Sequence, residues 1–150
     1  MGERKIYMLG KPESILQTYF GYPSFRPGQK KVIDLVLEMN NTLAIMPTGG
    51  GKSLCYQIPG LIMEGTAIII SPLISLMKDQ VDSLIALGIP ATYINSSLST
   101  EEQKKRLFDL KNRRYKFLYV APERFDSAWF INTIKTIPIA FVVFDEAHCS

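Results

Sequence analysis

Cysteine, histidine and tryptophan are scarce: the 150 residues hold two cysteines, Cys55 and Cys149, one histidine, His148, and one tryptophan, Trp129. The cysteines lie far apart and form no CxxC pair, which excludes a disulfide framework or a zinc ribbon and leaves two free thiols suited to a reducing compartment. Long hydrophobic runs are also missing. No apolar stretch approaches the roughly 20 residues that span a bilayer, and the charges of Met1 to Tyr7 have no apolar segment behind them, so neither a membrane span nor a secretory signal is expected. Met1-Gly2 opens like a myristoylation site, but Ile6 stands where Ser or Thr is required. Charge of one sign is lacking too. Seventeen Lys and Arg against 14 Asp and Glu leave a net +3, too little to argue for nucleic acid on charge alone. There is no internal repeat, no low-complexity tract and no linker, and the cytoplasm is the expected location.

What remains is an ordinary globular composition, 47% hydrophobic and 21% charged, in a length that supports one domain with a real core and not two. The nine prolines and ten glycines sit at the ends of periodic segments. Pro12 to Phe20 and Pro27 to Met39 have helical spacing, each opened by a proline, with Gly21 and Asn40-Asn41 as stops. The period then changes. Thr42 to Met46 is a short apolar strand running into Pro47-Thr48-Gly49-Gly50-Gly51-Lys52-Ser53, with a helix following to about Met63. The unit recurs as strand Thr66 to Ile70, helix Leu73 to Leu87 closed by Gly88, strand Ala91 to Asn95, and helix Thr100 to Lys111 behind a Ser99 cap. Lys116 to Ala121 is a fourth strand, Ser127 to Lys135 a weaker helix, and Ile139 to Phe144 a fifth strand. Nearly all-apolar strands alternating with amphipathic helices specify an α/β fold, an open parallel β-sheet with helices on both faces. Ligands of such sheets bind beyond the carboxyl ends of the strands. The loops at 49–53, 71–72, 95–96, 121–122 and 145–146 therefore converge on one edge.

Two of these loops carry chemistry. Thr48, Gly49, Gly50, Gly51, Lys52 and Ser53 lie between a strand and a helix, where glycine conformations free backbone N–H groups to ring a phosphate and the helix dipole adds positive potential. Lys52 is suited to reach β and γ phosphates and the Ser53 hydroxyl to hold Mg²⁺. The general pattern asks for glycine where Met46 stands. A glycine-rich surface turn beside a lysine is the plainer alternative. Phe141 to Phe144 is an apolar strand that runs into Asp145 and Glu146, where a metal and an attacking water need carboxylates. Asp145 is the candidate metal holder, partly through water, and Glu146 the candidate base; acidic helix caps are the alternative.

These residues resemble the first motor domain of superfamily 2 helicases, and more closely the RecQ family of DNA helicases. The resemblance runs in order through Phe20-Gly21-Tyr22, Phe25-Arg26-Pro27-Gly28-Gln29, Met46 to Pro59, Ser71 to Val81, Tyr119 to Arg124 and Asp145 to Cys149. Met46 belongs to the RecQ-like form of the loop. The resemblance implies a RecA-like P-loop NTPase fold that uses ATP and Mg²⁺, with single-stranded DNA and duplex junctions as partners. It implies that Tyr22 stacks on adenine, that Arg26 contacts the nucleotide, and that the Gln29 amide reads the base edge. It makes Ser71, Pro72, Leu73, Asn95, Ser96, Ala121, Pro122 and Arg124 DNA-contacting positions, with Lys78 adding charge, and His148 a link between the γ-phosphate and the DNA side.

Without the resemblance, Phe20, Tyr22 and Phe25 read as core aromatics, Gln29 as a solvated helix residue, and the loops as ordinary strand-end turns. The basic cluster of Lys104, Lys105, Arg106, Lys111, Arg113 and Arg114 shares its segment with Glu101, Glu102 and Asp109 and reads as a solvated face. Trp129 and Met63 read as packing.

The resemblance ends at the DEAH motif, so residues 1–150 are expected to be a truncated ATP-binding lobe lacking the second RecA-like lobe and its arginine finger. A finger is worth roughly 10³ to 10⁵ in rate, so the isolated chain is expected to bind Mg²⁺-ATP and hydrolyse little. The expected parent is a 3′ to 5′ DNA helicase, cytoplasmic and nucleoid-associated, or nuclear in a eukaryote. Another nucleic-acid-dependent ATPase, such as an RNA helicase, and a non-catalytic binding module are the alternatives. An incomplete sheet is expected to leave an unpaired edge next to the Asp145 strand.

Overall fold

A computed structural model describes residues 11–38, 43–47 and 53–146, the backbone alone being described at 43–47 and 146. Thr48, Gly49, Gly50, Gly51, Lys52, His148 and Cys149 lie outside the described residues, as does the side chain of Glu146.

Pro12–Ile15 forms a short helix, α1, that widens into a π-helical turn over Leu16–Phe20. Gly21 ends it at φ +75°, the left-handed conformation glycine adopts without penalty. Helix α2 spans Gln29–Glu38. It starts two residues later than expected, because Gly28 at φ +87° breaks the helical path after Pro27 and the Gln29 side chain caps the turn by accepting from Arg26 N at 2.7 Å. Then follow β1 (Leu43–Pro47), α3 (Leu54–Ile62), β2 (Thr66–Ile70), α4 (Ile74–Ala86), β3 (Ala91–Ile94), α5 (Thr100–Lys111), β4 (Phe117–Val120), a 3₁₀ turn over Pro122–Asp126, α6 (Ala128–Ile134) and β5 (Ile139–Glu146). The Ser99 hydroxyl accepts from Glu102 N at 3.1 Å, the expected cap of α5.

The strands form one parallel sheet in the order β1-β5-β2-β4-β3. The expected edge beside the Asp145 strand is corrected by this order: β5 is paired on both sides, with β1 and with β2. Its ladder with β1 also carries it two residues past Phe144, because Met46 and Pro47 supply partners for Asp145 and Glu146.

Strand alternation divides the core into two layers. Ala67, Ile69, Phe117, Tyr119, Phe141 and Val143 face one side with α1, α2, α3 and α4. Ile68, Ile70, Leu118 and Val120 face the other with α5 and α6. Alternation along β5 gives Asp145 the face of Phe141 and Val143. Helix α3 is buried on all sides from Leu54 to Leu61, which seats the start of the helix, next to the glycine loop, deep in the fold.

Candidate nucleotide site and loop edge

The parallel pairing of β1 with β5 sets the geometry of the site. In that ladder Met46 is opposite Asp145 and Pro47 opposite Glu146, so the acidic pair lies beside the strand that leads into the glycine loop. Ser53 opens α3 on the far side of that loop and its carbonyl accepts from Gln57 N at 2.9 Å.

Burial raises the Asp145 carboxyl above its ordinary range, and among the described residues no cation pairs with it. A half-buried carboxylate at the end of the strand beside the one that leads to Ser53 fits a hard divalent cation. Ser53 and Asp145 are the described residues that would hold Mg²⁺. When bound, the ion would supply charge neutralisation on transferring phosphoryl oxygens. Among the described residues no three His, Cys, Asp or Glu side chains cluster as a protein cage.

Beside Ser53 lies a cavity of about 370 Å³ whose walls include Phe20, Tyr22, Gln57, Asp79 and Ser83. Tyr22 and Ser53, both assigned to nucleotide from the sequence, thus line one space. Tyr22 is 51% exposed, so it is no core aromatic, whereas Phe20 and Phe25 pack on the core. Gln29 is buried and its side-chain oxygen is occupied by Arg26 N. Gln29 and Arg26 do not line the cavity.

The loops after β2, β3 and β4 meet at the same edge, but their side chains divide into exposed and committed. Pro72, Ser96 and Pro122 are exposed. Ser71 is buried and its hydroxyl accepts from Leu73 N at 3.2 Å, shaping the entry to α4. Asn95 is fully buried; its oxygen accepts from Ser97 N at 2.8 Å and its amide donates to Met77 Sδ at 3.4 Å. Ala121 is likewise fully buried. Arg124 donates to Gln103 Oε1 at 3.0 Å, and Lys78 is engaged by Asp82 at 2.7 Å.

Sequence reasoning missed three commitments. Arg106 pairs along the helix with Glu102 at 2.9 Å, as its spacing allows, but it is not on a solvated face: it also donates to Tyr93 O at 2.9 Å and lies 4.7 Å above the Tyr93 ring. Lys116 is buried and caps the carboxyl end of α3 by donating to the carbonyls of Met63 and Gly65. Tyr56 and Tyr119 join hydroxyls at 3.1 Å in the core, where Gln57 also donates to Tyr119 at 3.2 Å. Pattern alone marks such positions as apolar or surface, and a lysine at a strand start carries no warning of burial.

A parallel sheet with a glycine loop after its first strand and a carboxylate pair at the end of the adjacent strand defines the nucleotide-binding lobe of a P-loop motor. Residues 26–150 match the family of DEAD/DEAH box helicases, and the chain belongs to that family. It is 56% identical over 143 residues to the ATP-dependent DNA helicase RecQ of Bacillus subtilis, covering 95% of this chain and 24% of that protein. It is 52% identical to RecQ of Pasteurella multocida over 90% of this chain and 21% of that protein. Identity to the probable ATP-dependent DNA helicase RecS of Bacillus subtilis is 46%, over 93% of this chain and 28% of that protein. The chain thus spans about a quarter of the length of these relatives. In fold it is similar to a hypothetical ATP-dependent RNA helicase from Sulfolobus tokodaii, with a TM-score of 0.61 at 17% identity over 98% of this chain and 51% of that one. It is also similar to the DUF1998 helicase MrfA, with a TM-score of 0.60 at 15% identity over 91% of this chain and 29% of that one. Both likenesses concern the fold alone.

Proposed function

We propose that this chain is the ATP-binding lobe of a RecQ-type, ATP-dependent 3′ to 5′ DNA helicase, which turns over ATP only when a second RecA-like lobe closes on the nucleotide. The observation that carries this is the β1–β5 register, which sets Asp145 and Glu146 beside the strand leading into Thr48 to Ser53. Lys52 and the loop amides hold the phosphates, Ser53 and Asp145 hold Mg²⁺, Glu146 orients the attacking water, and Tyr22 stacks on the base. His148 connects this site to the DNA side. Single-stranded DNA and duplex junctions run along the loops after β2, β3 and β4, contacted by Pro72, Leu73, Ser96, Pro122 and exposed backbone N–H groups, as sequence-neutral phosphate contact requires. Asn95, Ser71 and Arg124 shape those loops from within. The working location is the cytoplasm at the nucleoid, or the nucleus in a eukaryote.

The test is titration of Mg²⁺-ATP into this chain and its Lys52→Ala variant, with circular dichroism establishing that both are folded. Saturable binding that the substitution abolishes is expected; a folded chain that binds nothing at millimolar ATP overturns the assignment of the site. In a motor completed by the second lobe, hydrolysis is expected to be stimulated by single-stranded DNA and not by RNA. Stimulation by RNA instead would make it an RNA-directed member of the same family.

A further inference from the structure

Tyr56 and Tyr119 are among the largest fully buried side chains, in a layer otherwise nearly all apolar. Packing alone needs only phenylalanine there: the rings meet edge to face with centroids 6.3 Å apart, a contact that survives loss of the hydroxyls. Burial holds the Tyr119 phenol up at about 12 and that of Tyr56 well above its ordinary value, so both hydroxyls keep their protons and both can donate.

The protons do not all fit inside the pair. One O···O contact of 3.1 Å uses one hydroxyl proton, and Gln57 already donates to Tyr119. If Tyr56 donates to Tyr119, the Tyr119 oxygen accepts twice and its own proton points outward. If Tyr119 donates to Tyr56, the outward proton belongs to Tyr56. Asp145 is the carboxylate whose charge bears on both phenols. The pair therefore has two arrangements, which differ in whether α3 or β4 carries the outward donor.

The ends of the network reach the two halves of the site. Gln57 is buried and also lines the cavity that Tyr22 and Ser53 share. Tyr56 is three residues beyond Ser53 on the same helix. Tyr119 lies two residues before Ala121, where β4 is laced to both neighbours: Ser71 N donates to Val120 O at 3.0 Å and Ala121 N to Ile94 O at 3.4 Å. A change at the end of β4 thus moves the entrances of three loops together. Two sites are coupled when both bias one two-state element.

We propose that Tyr56, Tyr119 and Gln57 form a positioning relay through which occupancy of the nucleotide cleft sets the loops after β2, β3 and β4, the hydroxyl pair being its two-state element. The relay rests on the helicase assignment and touches no reacting atom.

The test uses Tyr56→Phe and Tyr119→Phe, singly and together, in a motor completed by the second lobe. Each single variant is expected to keep KM for ATP and the DNA-free rate within about twofold. Stimulation by single-stranded DNA is expected to fall roughly five- to tenfold, the scale of residue-level coupling. The double variant is expected to be no worse than either single one, because the first substitution already breaks the bond. The ratio of stimulated to unstimulated rate is independent of the fraction folded, so partial unfolding leaves the readout intact. Full stimulation in both single variants, losses that multiply in the double, or KM rising in step with lost thermal stability would each overturn the relay and leave a packing role. A parent motor that DNA does not stimulate would overturn the helicase assignment itself, and the relay with it.

Discussion

Arg124 donates through Nη1 to Gln103 Oε1 at 3.0 Å, and Gln103 in turn donates through Nε2 to the carbonyl of Leu98 at 3.0 Å. The loop after β3 and the turn after β4 are thereby braced through one side chain of α5. Arg124 Nε is buried with no partner among the described residues, so its guanidinium has little to lose before the balance turns against it. Gln103→Ala is expected to destabilise the fold by about 1–3 kcal/mol by stranding a second donor. Replacing both residues by leucine is expected to cost less than that single change. Urea denaturation of the parent and the two variants checks the order.

Lys116 makes stability depend on pH in an uncommon direction. Burial lowers its ammonium from 10.5 to about 8, against the opposing pull of Glu64. The unfolded chain therefore binds the extra proton between about pH 8 and 10.5, and stability contributed by this group rises across that window and is flat below it. Lys116→Met removes the rise and leaves the carbonyls of Met63 and Gly65 without their donor. The variant is expected to be less stable at pH 7, by about 1–3 kcal/mol, and to lose further ground to the parent from pH 8 to 10. Paired denaturation curves read the difference, which cancels the titrations common to both.

Two glycines are expected to differ in how badly they tolerate alanine. A Cβ on Gly60 would overlap the fully buried ring of Phe117, which would have to shift, so Gly60→Ala is expected to cost about 1–3 kcal/mol. Gly65 sits at φ +94°, and its Cβ would meet Ala140 N at 2.9 Å and Pro138 O at 3.0 Å. Backbone on both sides cannot yield, so Gly65→Ala is expected to lower the melting temperature more than Gly60→Ala. Equal losses would show that the turn before β2 relaxes freely.

The cap of α5 provides a smaller, cleaner measurement. Ser99→Ala removes the acceptor of Glu102 N and is expected to cost about 1 kcal/mol. Ser99→Asp should restore most of that. Melting temperatures of the two variants decide whether the hydroxyl or the residue volume matters.

The strands were legible because a parallel sheet covered on both faces writes itself as short apolar runs: Thr66 to Ile70, buried throughout, matches its expected bounds. Helix α5 was equally plain, since Ser99 and the acidic first turn mark its start locally. Strand order was not legible. Nothing near Ile139 announces that its strand inserts between β1 and β2, because the preference arises from contacts made across the whole chain. The same holds for committed polar groups. Lys116 bonds carbonyls at Met63 and Gly65, 53 and 51 residues away, and Asn95 finds Met77 and Ser97. Of the site, the loop sequence and the acidic strand end were readable as types. Which side chains face solvent at the edge was decided by packing beneath it.

The insertion of β5 also sets the order in which the fold can be completed. Strand β1 has β5 as its ladder partner, and β5 is the last of the described strands in chain order. Until the ribosome has released residue 146, β1 has no neighbour among the described strands, and the backbone at the root of the phosphate loop stays without its ladder. Contacts so distant in sequence close slowly. The strand that leads into residues 48–52 and the strand that carries the acidic pair are thus paired in one event, and no folding intermediate lacking β5 can hold both halves of the nucleotide site.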